Sequence, residues 1–305
     1  MYQKKYMDVV RLDHKSTSEV LNIGDGIIIQ EKLDGANASF TLNNGVLEAF
    51  SRNTKLDDSN TLGGVYGFVM ESFNDKKNFL GEDYIYFGEW LTPHKVKYEG
   101  FEKQFFLFDI YSKSKEQYLD FKEVEHEAIT LGLNLIPVFY EGEYKSFEQL
   151  ESYVGKTKLN GMIGEKILGE GIVVKNVNYL DKFGKQLFVK LVVDEFREVK
   201  KQKKAKNPSD YKNTKEYIVA ESLTTSARIE KIIYKLKDES IIDCDIDKKH
   251  LGTIFKECNI RAWKDILKEE SDSITKDMDY EKLRKYVSNL ATSHAKNYLM
   301  SIGSL

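Results

Sequence analysis

The chain has 305 residues, 41% hydrophobic and 12% aromatic, enough to bury one large core or two smaller ones, and two domains are expected. Charged residues make up 31% of it, yet the formal net charge is -3, so any nucleic-acid affinity must come from local segregation of charge. No run approaches the roughly 18 apolar residues of a membrane span, the N-terminus has no apolar signal core, and the sparse cysteines (Cys244, Cys258) and scattered histidines argue against a disulfide scaffold or a sequence-local zinc site.

In chain order, Ser16-Thr17-Ser18 caps a short helix before the first strand, Gly26 to Gln30, an apolar run that reads as buried. Asn37 to Thr41 alternates as a second strand. A third follows across Asn43-Asn44-Gly45, whose Asn-Gly pair supplies the positive φ of a tight hairpin. Between the first two lies Glu31-Lys32-Leu33-Asp34-Gly35-Ala36-Asn37, one lysine between two carboxylates and a glycine at a strand end. It is either a solvated surface charge or a nucleophile in an electrostatic setting. Arg52 ends the third strand, where a rigid fork of donors reaches a phosphate, a carboxylate or only solvent. Val65 to Phe73 has the spacing of a helix packed on the sheet.

Tyr84 to Leu91 is an aromatic strand in which Glu89, flanked by bulky apolar residues, calls for a metal, a cation or a ligand hydroxyl. Phe105 to Tyr111 is another strand, with an aromatic face that serves a core or a base. Helices are expected over Phe121–Leu131 and Phe147–Val154, outside the site, with a strand from Leu135 to Tyr140 between them. Gly169 to Asn176 and Leu187 to Val193 are apolar strands carrying Lys175 and Lys190. Such lysines face solvent or point into a shared anion, because burying the charge alone costs several kcal/mol, on the order of a few. From Glu195 to Lys206 the chain turns basic (Arg197, Lys200, Lys201, Lys203, Lys204, Lys206), then reads Asn207-Pro208-Ser209. The domain boundary is placed here, giving 1–198 and 199–305. Beyond it, apolar residues recur at helical spacing: Ile229, Ile232, Ile233, Leu236; Leu251, Ile254, Phe255, Cys258; Leu283, Tyr286, Val287, Leu290.

Taken in order, these segments resemble the motifs of covalent nucleotidyltransferases: ATP-dependent DNA ligases, RNA ligases and messenger RNA capping enzymes. Lys32-Leu33-Asp34-Gly35 resembles the nucleophile motif, Ser51-Arg52 the next, Phe87-Gly88-Glu89 the third and Phe108-Asp109 the base-stacking motif. Glu170-Gly171-Ile172-Val173-Val174-Lys175 resembles the fourth, and the Lys190 strand the fifth. Glu31 before the lysine, Asn37 after the glycine and Phe196-Arg197-Glu198 are similar to the RNA ligase 2-like, phage-type branch. In one place the chain departs: the fifth motif of that family holds two lysines one residue apart, and Val192 stands at the second. Lys185 or the 200–206 run then remains to hold the triphosphate.

The resemblance implies an α+β fold, an antiparallel-sheet, ATP-grasp-like nucleotidyltransferase domain followed by a small all-α domain that binds nucleic acid. It implies an ATP-dependent RNA ligase in which Lys32 carries a covalent AMP, with Lys175 and Lys190 catalytic and lowering the Lys32 pKa. Glu31, Asp34, Gly35, Asn37, Arg52, Glu89, Phe108 and Val173 would bind the nucleotide, and Glu170 and Glu89 would hold Mg²⁺ or Mn²⁺. The expected partner is RNA or a nicked RNA-containing duplex, and the expected protein a cytoplasmic monomer, bacterial or from a phage-infected cell. A DNA ligase, a guanylyltransferase and a non-catalytic nucleic-acid-binding relative remain as alternatives.

Overall fold

The computed structural model describes residues 4–12, 14–181, 183–198, 212 and 214–304. The chain divides after Val193 into two compact units. In order, the first contains strands β1 (Val10–Arg11), β2 (Gly26–Lys32), β3 (Ala36–Asn43) and β4 (Val46–Ser51), helix α1 (Val65–Phe73), strands β5 (Tyr84–Trp90), β6 (Phe105–Ser112) and β7 (Gln117–Tyr118), and helix α2 (Phe121–Leu131). Strands β8 (Asn134–Leu135) and β9 (Val138–Glu143), helix α3 (Phe147–Glu151), and strands β10 (Met162–Ile163), β11 (Lys166–Ile167), β12 (Gly171–Leu180) and β13 (Gln186–Val192) complete it.

Two main sheets result, ordered β1-β13-β12-β2-β9 and β4-β3-β5-β6-β7, with β8 beside β6 and β10-β11 a separate ribbon. Among the described residues the named strands pair antiparallel, except β1 with β13 and β6 with β8. Period-two alternation explains the layering. Ile27, Ile29, Ile172, Val174 and Val189 bury one face of the first sheet with Leu150 of α3. Val173 and Phe188 on its other face join Ile85, Phe87 and Tyr111 of the second sheet. The far face of the second sheet, with Phe40, Tyr86, Trp90 and Leu107, is covered by Val65, Val69 and Phe73 of α1 and Val124 and Ala128 of α2. Each such Val, Ile, Leu or Phe side chain stabilises the fold by about 1.5–3 kcal/mol of burial.

Local signals account for most boundaries. Asn44 (φ 49°) and Gly45 (φ 74°) both take the left-handed conformation between β3 and β4, as a two-residue hairpin turn requires. Asp120 and Glu123 form a capping box at the start of α2. The strand expected from Leu135 to Tyr140 is instead two. Pro137 has no N–H for a ladder, so β8 pairs with β6 in the second sheet while β9 pairs with β2 in the first, and the Pro137 carbonyl accepts from Glu31 N. Helix α3 is shorter than expected, ending at Glu151 before Gly155 turns left-handed (φ 80°).

The second unit contains helices α4 (Lys215–Leu223), α5 (Ser226–Asp238), α6 (Leu251–Glu269) and α7 (Tyr280–Ser301). Thr214, Thr225 and Asp279 cap α4, α5 and α7. Ile229, Ile233, Leu236, Ile254, Cys258, Ile266, Leu283 and Val287 form their shared core. Helix α4 was not anticipated because only Val219, Ala220 and Leu223 mark its buried apolar face. Glu198 is buried and pairs with Lys231 Nζ at 2.6 Å and with Arg228 at 3.6 Å. These bonds tie it into the helical unit, so the division falls slightly before the boundary drawn from composition. Of the basic run only Arg197 is described; Lys200, Lys201, Lys203, Lys204 and Lys206 lie outside the described residues. No described helix is long and apolar enough to cross a membrane.

Candidate active site

Lys32 ends β2 in the first sheet and Ala36 begins β3 in the second, so Leu33-Asp34-Gly35 carries the chain from one sheet to the other. Glycine is required at the corner. A Cβ on Gly35 would lie 2.4 Å from the Trp90 carbonyl oxygen and 3.1 Å from Glu89 Cγ, and the Gly35 N–H donates to Glu89 Oε1 at 3.0 Å. Register then sets Asn37 opposite Glu89. In the first sheet Gly171 lies between Lys32 and Val192. A Cβ on Gly171 would meet the Leu191 carbonyl oxygen at 2.1 Å, so this close passage also demands glycine. By alternation Gln30, Lys32, Val173, Lys175, Lys190 and Val192 share one face. Glu170, just before β12, reaches Lys32 with Oε1 2.7 Å from Nζ.

Burial disfavours charge on Lys32, but Glu170, Glu89 and Asp34 outweigh it and raise its pKa above the ordinary value. This corrects the expectation that Lys175 and Lys190 lower it: the groups nearest the amine are carboxylates. Burial raises Glu170, Lys32 opposes it, Asp34 adds to it, and Lys190 opposes it as well. Asp34 shifts the other way. Burial alone would raise it, but His94 Nδ1, 3.3 Å from Oδ1, and Val96 N–H, which donates to Oδ2 at 2.9 Å, bring it down.

Glu89 is pushed up to about 7, chiefly by burial; Lys32 and His94 oppose the shift, while Glu170 and Asp34 reinforce it. Its ordinary value is 4.5, so the folded state binds this proton more tightly than the unfolded state. Stability from that proton is complete below pH 4.5 and is lost as pH rises through about 7. Glu89→Gln removes the dependence. The stability of the variant relative to the parent should rise by up to about 3 kcal/mol between acid and mildly basic pH. Urea midpoints at both pH values check this, and an equal difference at both would refute it.

Further along the same face, Lys175 Nζ donates to the Phe108 carbonyl at 2.8 Å and to Asp109 Oδ1 at 2.6 Å, 5.1 Å above the Phe188 ring. Burial pushes Lys175 down and Asp109 up. Lys175 is thus committed to Asp109 and away from Lys32, because register sets it opposite Ile28. Tyr6 Oη donates to the other Asp109 oxygen, and its ring lies edge-on to Phe108 at 4.7 Å. Phe108 and Val173, both half-buried, border this aromatic cluster. Arg52 pairs with Asp8 at 2.6 Å and donates to the Tyr6 carbonyl at 3.4 Å.

The structure therefore brings together Lys32, Asp34, Gly35, Asn37, Glu89, Glu170 and Lys190, and separately Arg52, Phe108, Val173 and Lys175. Two expectations are corrected. Glu31 points to the face of β2 opposite Lys32, where it is buried and its Oε2 accepts from Lys158 N at 2.7 Å; it anchors a turn and does not contact the Lys32 site. Lys185 is exposed at the far end of the β12–β13 hairpin, too distant to replace a lysine at 192. Sequence reasoning missed Gln30, His94 and Tyr98. Gln30 is 2% exposed, and its Nε2 has no hydrogen-bond partner among the described residues. An amide inside the apolar run two residues before the lysine was its visible signal. Among the described residues no three His, Cys, Asp or Glu side chains form a metal cluster. Glu170 and Glu89 are still hard oxygen donors beside one amine, suited to Mg²⁺ or Mn²⁺ that keeps water and phosphate ligands.

A family model described as RNA ligase matches residues 25–192, from the start of β2 to the end of β13. The chain belongs to the RNA ligase family. This RNA ligase-family chain is similar to solved forms of an RNA ligase from Naegleria gruberi. With a mutant solved with ATP and Mn it shares 19% identity, covering 61% of this chain and 56% of that one, at a TM-score of 0.43. The form with PPi gives 20%, 63%, 56% and 0.46, and a mutant with AMP and Mn gives 19%, 61%, 56% and 0.44. The chain thus spans a little over half the length of these RNA ligase chains. No curated protein matches it.

Proposed function

We propose that this chain is an ATP-dependent RNA ligase that joins a 3′-hydroxyl to a 5′-phosphate through AMP carried on Lys32. The observation that carries this is the lone lysine at the sheet-to-sheet corner, held by Glu170 and flanked by Glu89 and Asp34. Membership of the RNA ligase family supports it.

In the first step the Lys32 ammonium gives up a proton, and Glu170, in contact at 2.7 Å, is the nearest acceptor. The Nζ lone pair forms a bond to the α-phosphorus of ATP, and the bond to pyrophosphate breaks. Lys190, on the Lys32 face, offsets negative charge on the transferring group. A divalent cation held by Glu170 and Glu89 would neutralise charge on the phosphates when bound. Phe108 and Val173 flank the base, Arg52 leaves Asp8 for the ribose or the donor phosphate, and Asn37 and Asp34 orient the nucleotide. In the second step AMP passes to the 5′-phosphate of RNA, freeing Lys32. In the third, a 3′-hydroxyl attacks that phosphate and AMP departs. The helical unit and the basic run before it bind the nucleic acid, in a single strand or an RNA-containing nick, with salt-sensitive affinity.

Intact-protein mass tests this after bound AMP is stripped with pyrophosphate and the protein is incubated with Mg²⁺ and ATP, or with GTP. A gain of one AMP from ATP alone is expected. Gain only from GTP would make it a guanylyltransferase, and no gain from either would overturn the proposal.

A further inference from the structure

We infer that His94 is a positioning residue for AMP transfer: its ring, donating from Nδ1 to Asp34, holds the 33–35 turn so that Lys32 faces the phosphate in attack geometry. This rests on the proposed function and deepens it.

One segment, residues 89–98, makes four polar contacts with the turn. Glu89 Oε1 accepts from Gly35 N at 3.0 Å, His94 Nδ1 lies 3.3 Å from Asp34 Oδ1, Val96 N–H donates to Asp34 Oδ2 at 2.9 Å, and Tyr98 Oη accepts from Asp34 N at 3.0 Å. The segment is itself fixed. Lys97 and Met162 exchange two backbone hydrogen bonds at 2.9 Å, Lys103 N donates to Leu91 O at 2.8 Å, and Gly161 is packed against Val96 and Tyr98. The His94 side chain is 8% exposed, so its ring is held by packing rather than left to swing in solvent. Of the two groups that meet the Asp34 carboxylate here, Val96 contributes main chain and His94 a side chain. Removing the ring therefore frees one oxygen and leaves the loop anchored.

The consequence for chemistry is geometric. Lys32 lies two residues before Asp34, with Leu33, buried at 3%, between them. Without the His94 contact the Asp34 carboxylate is held at Oδ2 alone, which loosens the turn that follows Lys32. A misplacement of about 1 Å at a reacting group lowers a rate by roughly 100-fold. The effect falls chiefly on the chemical step, because His94 acts through Asp34, only one of several groups that orient the nucleotide, and through the turn that follows Lys32.

The test is the rate of AMP capture by the whole chain under single-turnover conditions over a range of ATP, for the parent and His94→Ala, His94→Asn and His94→Gln. In His94→Ala the maximal rate should fall about 10- to 100-fold while the ATP concentration giving half of it moves less than about threefold. Asparagine places its amide nitrogen near the position of Nδ1, glutamine near that of Nε2, so Asn should restore most of the rate and Gln should not. Thermal unfolding of each variant shows that it is folded; if His94→Ala is not, the Asn and Gln pair decides. An unchanged rate in His94→Ala, or equal rates for Asn and Gln, overturns the inference and leaves the proposed function standing. No AMP on the parent overturns the proposed function and the role of His94 with it.

Discussion

Lys32→Ala eliminates transfer of AMP from ATP to the protein, a loss of about 10,000-fold or more, or at least ~5 kcal/mol of barrier. Of the described lysines at this face, Lys175 is committed to Asp109, and Lys190 comes from β13, across Val173 from the row that holds Lys32. The alanine variant also strips the partner of Glu170 at 2.7 Å, leaving three carboxylates beside one another and risking a distorted site. Lys32→Arg keeps the charge and discards the nucleophile, since a guanidinium is not deprotonated in proteins. Both variants should remain unlabelled by intact mass, and the arginine variant should unfold close to the parent temperature. A full AMP adduct on Lys32→Arg would sink the assignment of the nucleophile.

Arg228→Met weakens the helical unit by about 3–5 kcal/mol. Arg228 is fully buried and lies among three carboxylates, at 3.4 Å from Glu269, 3.6 Å from Glu198 and 3.7 Å from Glu270, with its Nε donating to Leu223 O at 3.0 Å. Methionine fills much of the volume but leaves the buried Glu198 and Glu270 with one cation fewer. Lys231, 2.6 Å from Glu198, cannot serve both sides of the cluster. Hydrogen exchange of α5, α6 and α7 amides reads the loss, and protection within about 1 kcal/mol of the parent would refute it.

The strands of the first unit were legible as short apolar, aromatic or alternating runs whose ends carry turn residues such as Asn44-Gly45 and the flanking glycines. The stretch around Lys32 left two readings open, a surface charge and a nucleophile, and it was the order of the segments from Lys32 to Lys190, resembling that of covalent nucleotidyltransferases, that favoured the second. What the sequence could not show was which carboxylate meets which lysine. Lys175 and Lys190 sit in similar apolar strands, and only register sends Lys175 to Asp109 and leaves Lys190 in the field of Glu170. Glu31 was placed in the site by the resemblance alone, whereas strand parity puts it on the face opposite Lys32, since adjacency along a strand means opposite faces. His94 stayed hidden because a histidine 60 positions from Asp34 has no local signature, and its role depends on a loop whose path nothing in the composition encodes.

The pairing of β2 with β12 has a kinetic implication. Gly171 is the register partner of Lys32, about 140 residues later in the chain, so this long loop must close before the ladder forms. Glu170 and Lys190 arrive only with that closure. A chain emerging from the ribosome therefore completes the 33–35 turn and its grip by Glu89 well before it can acquire the carboxylate that meets Lys32. An N-terminal fragment ending before β12 should be inert toward ATP however well its second sheet has folded, and activity should appear only when synthesis has passed β13.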